Sequence, residues 1–236
     1  MMPRLVPYLS EYEIERDAAT LLDEYSQKRG VAITPPIPID DIVEKYLKLG
    51  IEFDDMHRLL NHPRSGFEPD ILGAIYFDER RIVIDESLDP DENPWKETRY
   101  RYTLAHEGGG HWRLHRHLFI QDLFQAVLFG GTPPPSVVCR SNRVREPIEW
   151  QADFYASCLL MPRNLVMDAW KAIFQDFDPW IIPPRPPATI PPNVEFLTDF
   201  HLIEVRDSET DDEVLNRIAH PFAKKFMVST IAMRIR

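Results

Sequence analysis

The residues best equipped for chemistry lie in the run Ala105-His106-Glu107-Gly108-Gly109-Gly110-His111-Trp112-Arg113-Leu114-His115. Imidazole nitrogens are strong ligands for divalent metals, and a carboxylate beside them can take a proton from metal-activated water. The run is one residue longer than the zinc-binding pattern HExxH, in which two histidines four apart share a helix face. Here His106 and His111 are five apart. On a regular α-helix four residues advance roughly 400° and leave two side chains about 40° apart, whereas five leave them about 140° apart. Both histidines can reach one ion only if a π-bulge absorbs the extra residue. The glycine run lowers the cost of such a bulge, because each Gly weakens an α-helix by about 1 kcal/mol relative to Ala. By the same token, the turn is expected to be soft without metal. A competing pair, His111 and His115, is four apart and meets on a regular helix, with Glu107 one turn before the first ligand. A third outcome is that the spacing leaves no metal site.

A two-histidine site needs a third protein ligand and keeps a fourth position for water. The segment Glu149-Trp150-Gln151-Ala152-Asp153 supplies the best candidate. Glu149 and Asp153 are four apart and share a face of an expected helix. Two acids so placed are ordinarily solvated, but the surrounding residues Trp150, Phe154, Tyr155, Leu159 and Leu160 are apolar. The reading is therefore a Zn²⁺ site held by His106, His111 and Glu149, with Glu107 as general base. Asp153 is expected to accept from the second nitrogen of a ligand histidine and fix its tautomer. Tyr102, Tyr155, His115 and His117 are further candidates for oxyanion or supporting contacts, with packing or solvation the plainer account of each. Cys158 lies among apolar residues and reads as core. No Ser or Cys has a recognisable nucleophile's neighbourhood.

These groups need a scaffold. Ser10 and Glu13 have capping-box spacing, and Ile14, Ala18, Leu21, Leu22 and Tyr25 recur at helical intervals up to Gly30. A second helix is expected over 40–49 with Gly50 as its stop. Strands are expected at 51–54, 72–77 and 81–85, the last two joined as a hairpin through Asp78-Glu79-Arg80. Asn93-Pro94 should open the helix that carries the histidines to about Arg116, and Glu146-Pro147 the helix that carries Glu149 to Leu160. Another helix is expected over 164–177, a strand-like piece over 194–201, and short helices from Asp211 onward. The Gly- and Pro-rich stretch Gly130 to Pro135 reads as a loop, and 179–193 as an extended connection. The division is thus 1–178 as the main domain, 179–193 as the connection, and 194–236 as a helical extension packing on the same domain.

Composition narrows the partners. The 236 residues carry 27 basic and 38 acidic side chains, a formal net charge of −11. Duplex DNA binding needs a basic face, because phosphate contacts supply most of the affinity, so direct nucleic-acid binding is not expected. The candidate local basic patch is Lys224, Lys225, Arg234 and Arg236. There Val228-Ser229-Thr230 could start a helix after a tight turn, but packing on the main domain is the preferred account. There is no apolar run of membrane-spanning length and no signal-peptide core near the N-terminus, and the two cysteines form no CxxC pair. A reduced cytoplasmic protein is expected.

The two segments together resemble a known family. Thr103-Leu104-Ala105-His106-Glu107 followed by Gly-His-Trp and Leu114-His115 is similar to the active helix of the ImmA/IrrE metallopeptidases. Glu149-Trp150-Gln151-Ala152-Asp153-Phe154-Tyr155-Ala156, ending Leu159-Leu160-Met161-Pro162, resembles that family's second signature. The hairpin from Gly73 to Asp85 and the element Phe222-Ala223-Lys224-Lys225-Phe226 with Val228-Ser229 also fit. The resemblance covers roughly residues 10–165 and, loosely, the C-terminus. The family has two residues between the glutamate and the second histidine, where this chain has three. The resemblance implies an α+β, zincin-like fold, with a small sheet and hairpin packed against the active-site helix and a second, Glu-bearing helix. It implies zinc-dependent endopeptidase activity, and a helix-turn-helix transcriptional repressor as protein substrate. The alternative is a degenerate module that binds and sequesters a regulator without cutting it.

Overall fold

The computed structural model describes residues 6–62, 70–119, 137–140, 146–175, 180–181, 201–202 and 209–236. The architecture is α+β and mainly helical. Helix α1 (Glu11–Arg29) starts with the expected capping box and ends at Gly30 in the left-handed region, φ 65°. Its buried face is the expected set, Ile14, Ala18, Leu21, Leu22 and Tyr25. A short helix α2 (Ile39–Asp41) runs into a π-helix, Ile42–Tyr46. Gly50 is not the stop of this segment. The left-handed position is Lys48 (φ 61°), and Gly50 is already the first residue of strand β1 (Gly50–Asp54).

Strands β2 (Ile71–Tyr76) and β3 (Arg81–Asp85) form the expected antiparallel hairpin, and β1 pairs with β3 in parallel. Between β1 and β2 lies a short helix, α3 (Met56–Leu59), that the sequence pattern does not announce. A fourth strand, β4 (Val137–Arg140), adds to β2, so the sheet order is β1-β3-β2-β4. The sheet is covered on both faces. Ile75, Ile82 and Ile84 join the main core, while Met56, Ile71, Ala74, Tyr76 and Val83 form a second cluster beneath α3. Strand alternation alone would put Ile71 with Ile75. The register of the β2–β4 pairing shifts between Ile71 and Gly73, as at a bulge, and lets Ile71 join the other face.

After a 3₁₀ turn (Pro94–Lys96), helix α4 (Glu97–Leu104) leads into a second π-helix, Ala105–His115. Asn93 makes no side-chain capping bond there. Helix α5 (Pro147–Leu160) has Pro147 in its first turn, and α6 (Arg163–Phe174) follows it. The expected loop at 130–135, nearly all of 179–193 and all but the last residue of 194–201 lie outside the described residues. Two short strands, β5 (Trp180–Ile181) and β6 (His201–Leu202), pair in parallel. Helices α7 (Asp211–Phe226) and α8 (Thr230–Ile235) close the chain, the latter capped by Ser229. Phe222, Phe226 and Val228 lie in the same apolar cluster as α1 and α5. Among the described residues, no helix is long and apolar enough to cross a membrane.

Candidate metal centre

The centre sits where the second π-helix crosses α5. Three glycines allow the crossing. A Cβ on Gly110 would lie 2.6 Å from Ala152 Cα and 2.9 Å from its carbonyl oxygen, so the two backbones touch. A Cβ on Gly108 would lie 2.6 Å from Val43 Cγ2 of the first π-helix, and one on Gly109 2.9 Å from Leu159 Cδ2. Gly73 of β2 serves a similar purpose opposite Thr103, at 3.1 Å. The glycine run therefore does more than loosen a helix: it admits neighbours from two sides.

The extra residue is absorbed by eleven residues of π-helix, Ala105–His115, rather than by the single bulge expected. In a helix closed by i→i+5 bonds each residue turns by roughly 80°, so five residues overshoot a full turn by about 40° and four fall short by about 40°. His106, His111 and His115 consequently form one column. Both pairs considered from the sequence meet, but in different ways. The Nε2 atoms of His106 and His111 face each other at 2.9 Å, while His111 and His115 meet through their Nδ1 atoms at 3.0 Å. His115 thus stands behind His111 rather than beside it at the site.

Glu149 completes the first group from α5. Its carboxylate lies 3.2 Å from His106 Nε2 and 3.5 Å from His111 Nε2. His106, His111 and Glu149 offer ligand atoms all within 4.8 Å of one another, a group that could hold a metal ion. The chemistry of the donor set fits such an ion. Donors about 2.0–2.1 Å from a tetrahedral centre are roughly 3.3–3.4 Å apart. The three separations here bracket that value. Two histidines and a carboxylate with one open position is also the donor set of catalytic zinc sites.

Charge and protonation favour ligation. Asp153 Oδ1 lies 3.0 Å from His106 Nδ1 and can only accept there, so the hydrogen sits on Nδ1 and the bare Nε2 points at the site. Burial and the nearby Asp153 charge raise the Tyr102 hydroxyl well above its ordinary range, which keeps it protonated to donate to Asp153 Oδ1 at 3.3 Å. In the metal-free chain, burial pushes the Glu149 carboxyl up, but its contacts with His106 and His111 outweigh it and hold the group below the usual carboxylate range. Burial pushes His111 down to about 4. A neutral imidazole is the form that binds metal.

Glu107 is completely buried and follows His106 in the π-helix. The far end of that helix is tied to α1: Arg113 Nε donates to Asp17 Oδ1 at 2.9 Å, and Tyr155 OH donates to the same oxygen at 2.9 Å. Tyr155 therefore holds the scaffold and does not line the centre. His117 is exposed, outside this network. Cys158 is buried, and burial raises its thiol to about 12, which suits a core residue. Gln151, which sequence reasoning passed over, is buried and hydrogen-bonds His115 Nε2 at 2.9 Å. Its polar side chain on an apolar helix, two residues from Glu149, was the available signal.

No family model matches the chain, and no curated protein matches it.

Proposed function

We propose that this chain is a zinc-dependent endopeptidase of the ImmA/IrrE type with a zincin-like fold, acting on a helix-turn-helix repressor. The observation that carries the metal assignment is the convergence of His106 Nε2, His111 Nε2 and a Glu149 carboxylate held in its charged form. The substrate class rests on the resemblance of the two signature segments.

A zinc ion held by these three residues would supply Lewis acidity, polarising the scissile carbonyl and bringing the pKa of coordinated water toward ~7. Asp153 and Tyr102 keep His106 in its ligating tautomer. Glu107 takes the proton from the attacking water and returns it to the leaving amine. The buried setting of the two histidines limits competing water and strengthens each electrostatic contact.

The test has two parts. Elemental mass spectrometry of the purified chain should find about one zinc per molecule, absent from His111→Ala. Zinc-loaded protein should then cleave a helix-turn-helix repressor, read by mass spectrometry of the fragments. Glu107→Gln should keep the zinc and lose cleavage by about 10²-fold or more. A fully active Glu107→Gln protein would refute the assigned role.

One observation favours a second reading, a peptidase-like module that sequesters a regulator without cutting it. Glu107 is 0 % exposed, whereas a general base must meet water. That reading is distinguished by a repressor complex that survives a chelator and yields no fragments.

A further inference from the structure

His111 is held from behind by a chain of polar contacts that leaves the metal site, crosses α5 and ends on the peptide before α1. His111 Nδ1 meets His115 Nδ1 at 3.0 Å, His115 Nε2 meets Gln151 Oε1 at 2.9 Å, and Gln151 Nε2 meets the Pro7 carbonyl oxygen at 2.8 Å. His111, His115 and Gln151 are each at most 2 % exposed. We infer that Gln151, anchored by the Pro7 carbonyl, is a positioning residue that sets the tautomer of the metal ligand His111 through His115. The inference rests on the metal-site reading above.

The direction of every hydrogen bond follows from the last acceptor. A main-chain carbonyl has no proton to give, so the amide nitrogen of Gln151 must face Pro7 and donate to it. The amide oxygen is thereby turned toward His115 Nε2, and that oxygen can only accept. His115 therefore carries its hydrogen on Nε2. The ring is buried with an imidazole and an amide as its two hydrogen-bond partners, so it is neutral and its Nδ1 bears a lone pair. That lone pair, 3.0 Å from His111 Nδ1, requires a hydrogen from His111. His111 then holds its hydrogen on Nδ1 and presents a bare Nε2 to the site.

The same result is reached on the His106 side by a simpler device, the single carboxylate of Asp153. The two ligand lone pairs are consequently aimed at each other across 2.9 Å. Neither ring can donate to the other while its Nδ1 is engaged, and the facing lone pairs and the Glu149 carboxylate call for a cation between them. The column of three histidines is thus two ligand-facing nitrogens and one relay. The segment at Pro7 becomes part of what prepares the site.

Long-range ¹H–¹⁵N spectra of the full chain should show His111 protonated on Nδ1 and His115 on Nε2. A His115 hydrogen on Nδ1 overturns the proposal. In parallel, zinc affinity is measured by competition with a chromophoric chelator, with thermal melts in excess chelator to report the fold. Gln151→Met, which keeps volume but offers no acceptor, should bind zinc about 10–100-fold more weakly. Gln151→Glu, which restores an acceptor to His115 but loses the donor to the Pro7 carbonyl, should recover part of that loss. Equal loss in both variants means a packing role only and overturns the proposal. If Gln151→Met binds zinc as tightly as wild type, the proposal alone fails. A wild-type chain that binds no zinc overturns the metal reading itself, and the proposal with it.

Discussion

The contact between Gly110 and Ala152 offers a sharp test of how the site is built. Gly110→Ala introduces a methyl 2.6 Å from Ala152 Cα, 2.8 Å from its Cβ and 2.9 Å from its carbonyl oxygen. The obstacle is largely backbone, so no rotamer change relieves it; the π-helix and α5 must separate by several tenths of an ångström. Overpacking of this kind costs about 1–3 kcal/mol, and backbone resistance places it at the upper end. Replacing Gly by Ala returns up to about 1 kcal/mol of helix propensity. A net loss of about 2 kcal/mol is expected, or roughly 4–8 °C in Tm for a chain of this size. The same separation moves His111 away from Glu149, so zinc affinity should fall alongside stability. Thermal melts in chelator and a zinc competition assay measure the two effects separately. Gly50→Ala is the control: its Cβ would meet only Arg80 O, at 3.9 Å, and it should melt within about 1 °C of wild type. If Gly110→Ala keeps both Tm and zinc affinity, the close crossing is not what holds the ligands together.

Other outcomes follow from the same geometry. Asp153→Ala removes the acceptor at His106 Nδ1 and should weaken zinc binding about 10–100-fold while leaving the far-UV circular dichroism unchanged. In the metal-free protein, burial depresses His111 from 6.5 to about 4 and His115 from 6.5 to about 3. The unfolded chain therefore binds more protons across that interval, and stability should fall as pH drops from about 6.5 toward 4. Glu149, also depressed, adds a loss that begins below its unfolded value of 4.5. Denaturant melts at pH 7.5, 5.5 and 4.5 in chelator check the sign. A flat profile down to pH 4.5 would contradict neutral, buried histidines.

Much of the site was legible locally. His106, His111, Glu149 and Asp153 could be singled out because their types are those of metal ligands and a supporting carboxylate, and because four-residue spacing on a helix is a local property. The capping box at Ser10 and Glu13 and the β2–β3 hairpin are local in the same sense, since partners lie only a few residues apart. The Gln151–Pro7 contact spans 144 positions in the chain, and nothing local to either residue announces it. Strand β4 likewise depends on a distant partner, β2, and α3 is a single turn, too short to show a helical periodicity.

Residue identity by itself determined which groups could bind a metal, and that five-residue spacing is incompatible with a regular α-helix. It did not determine how the mismatch is resolved. A glycine run makes many distortions cheap, and local energetics do not choose among them. The choice of an eleven-residue π-helix coincides with packing from two sides: α5 lies against Gly110, and Val43 of the first π-helix lies against Gly108. Those neighbours are distant in sequence, and only the folded chain brings them against the three positions of the helix that have no side chain to keep them away.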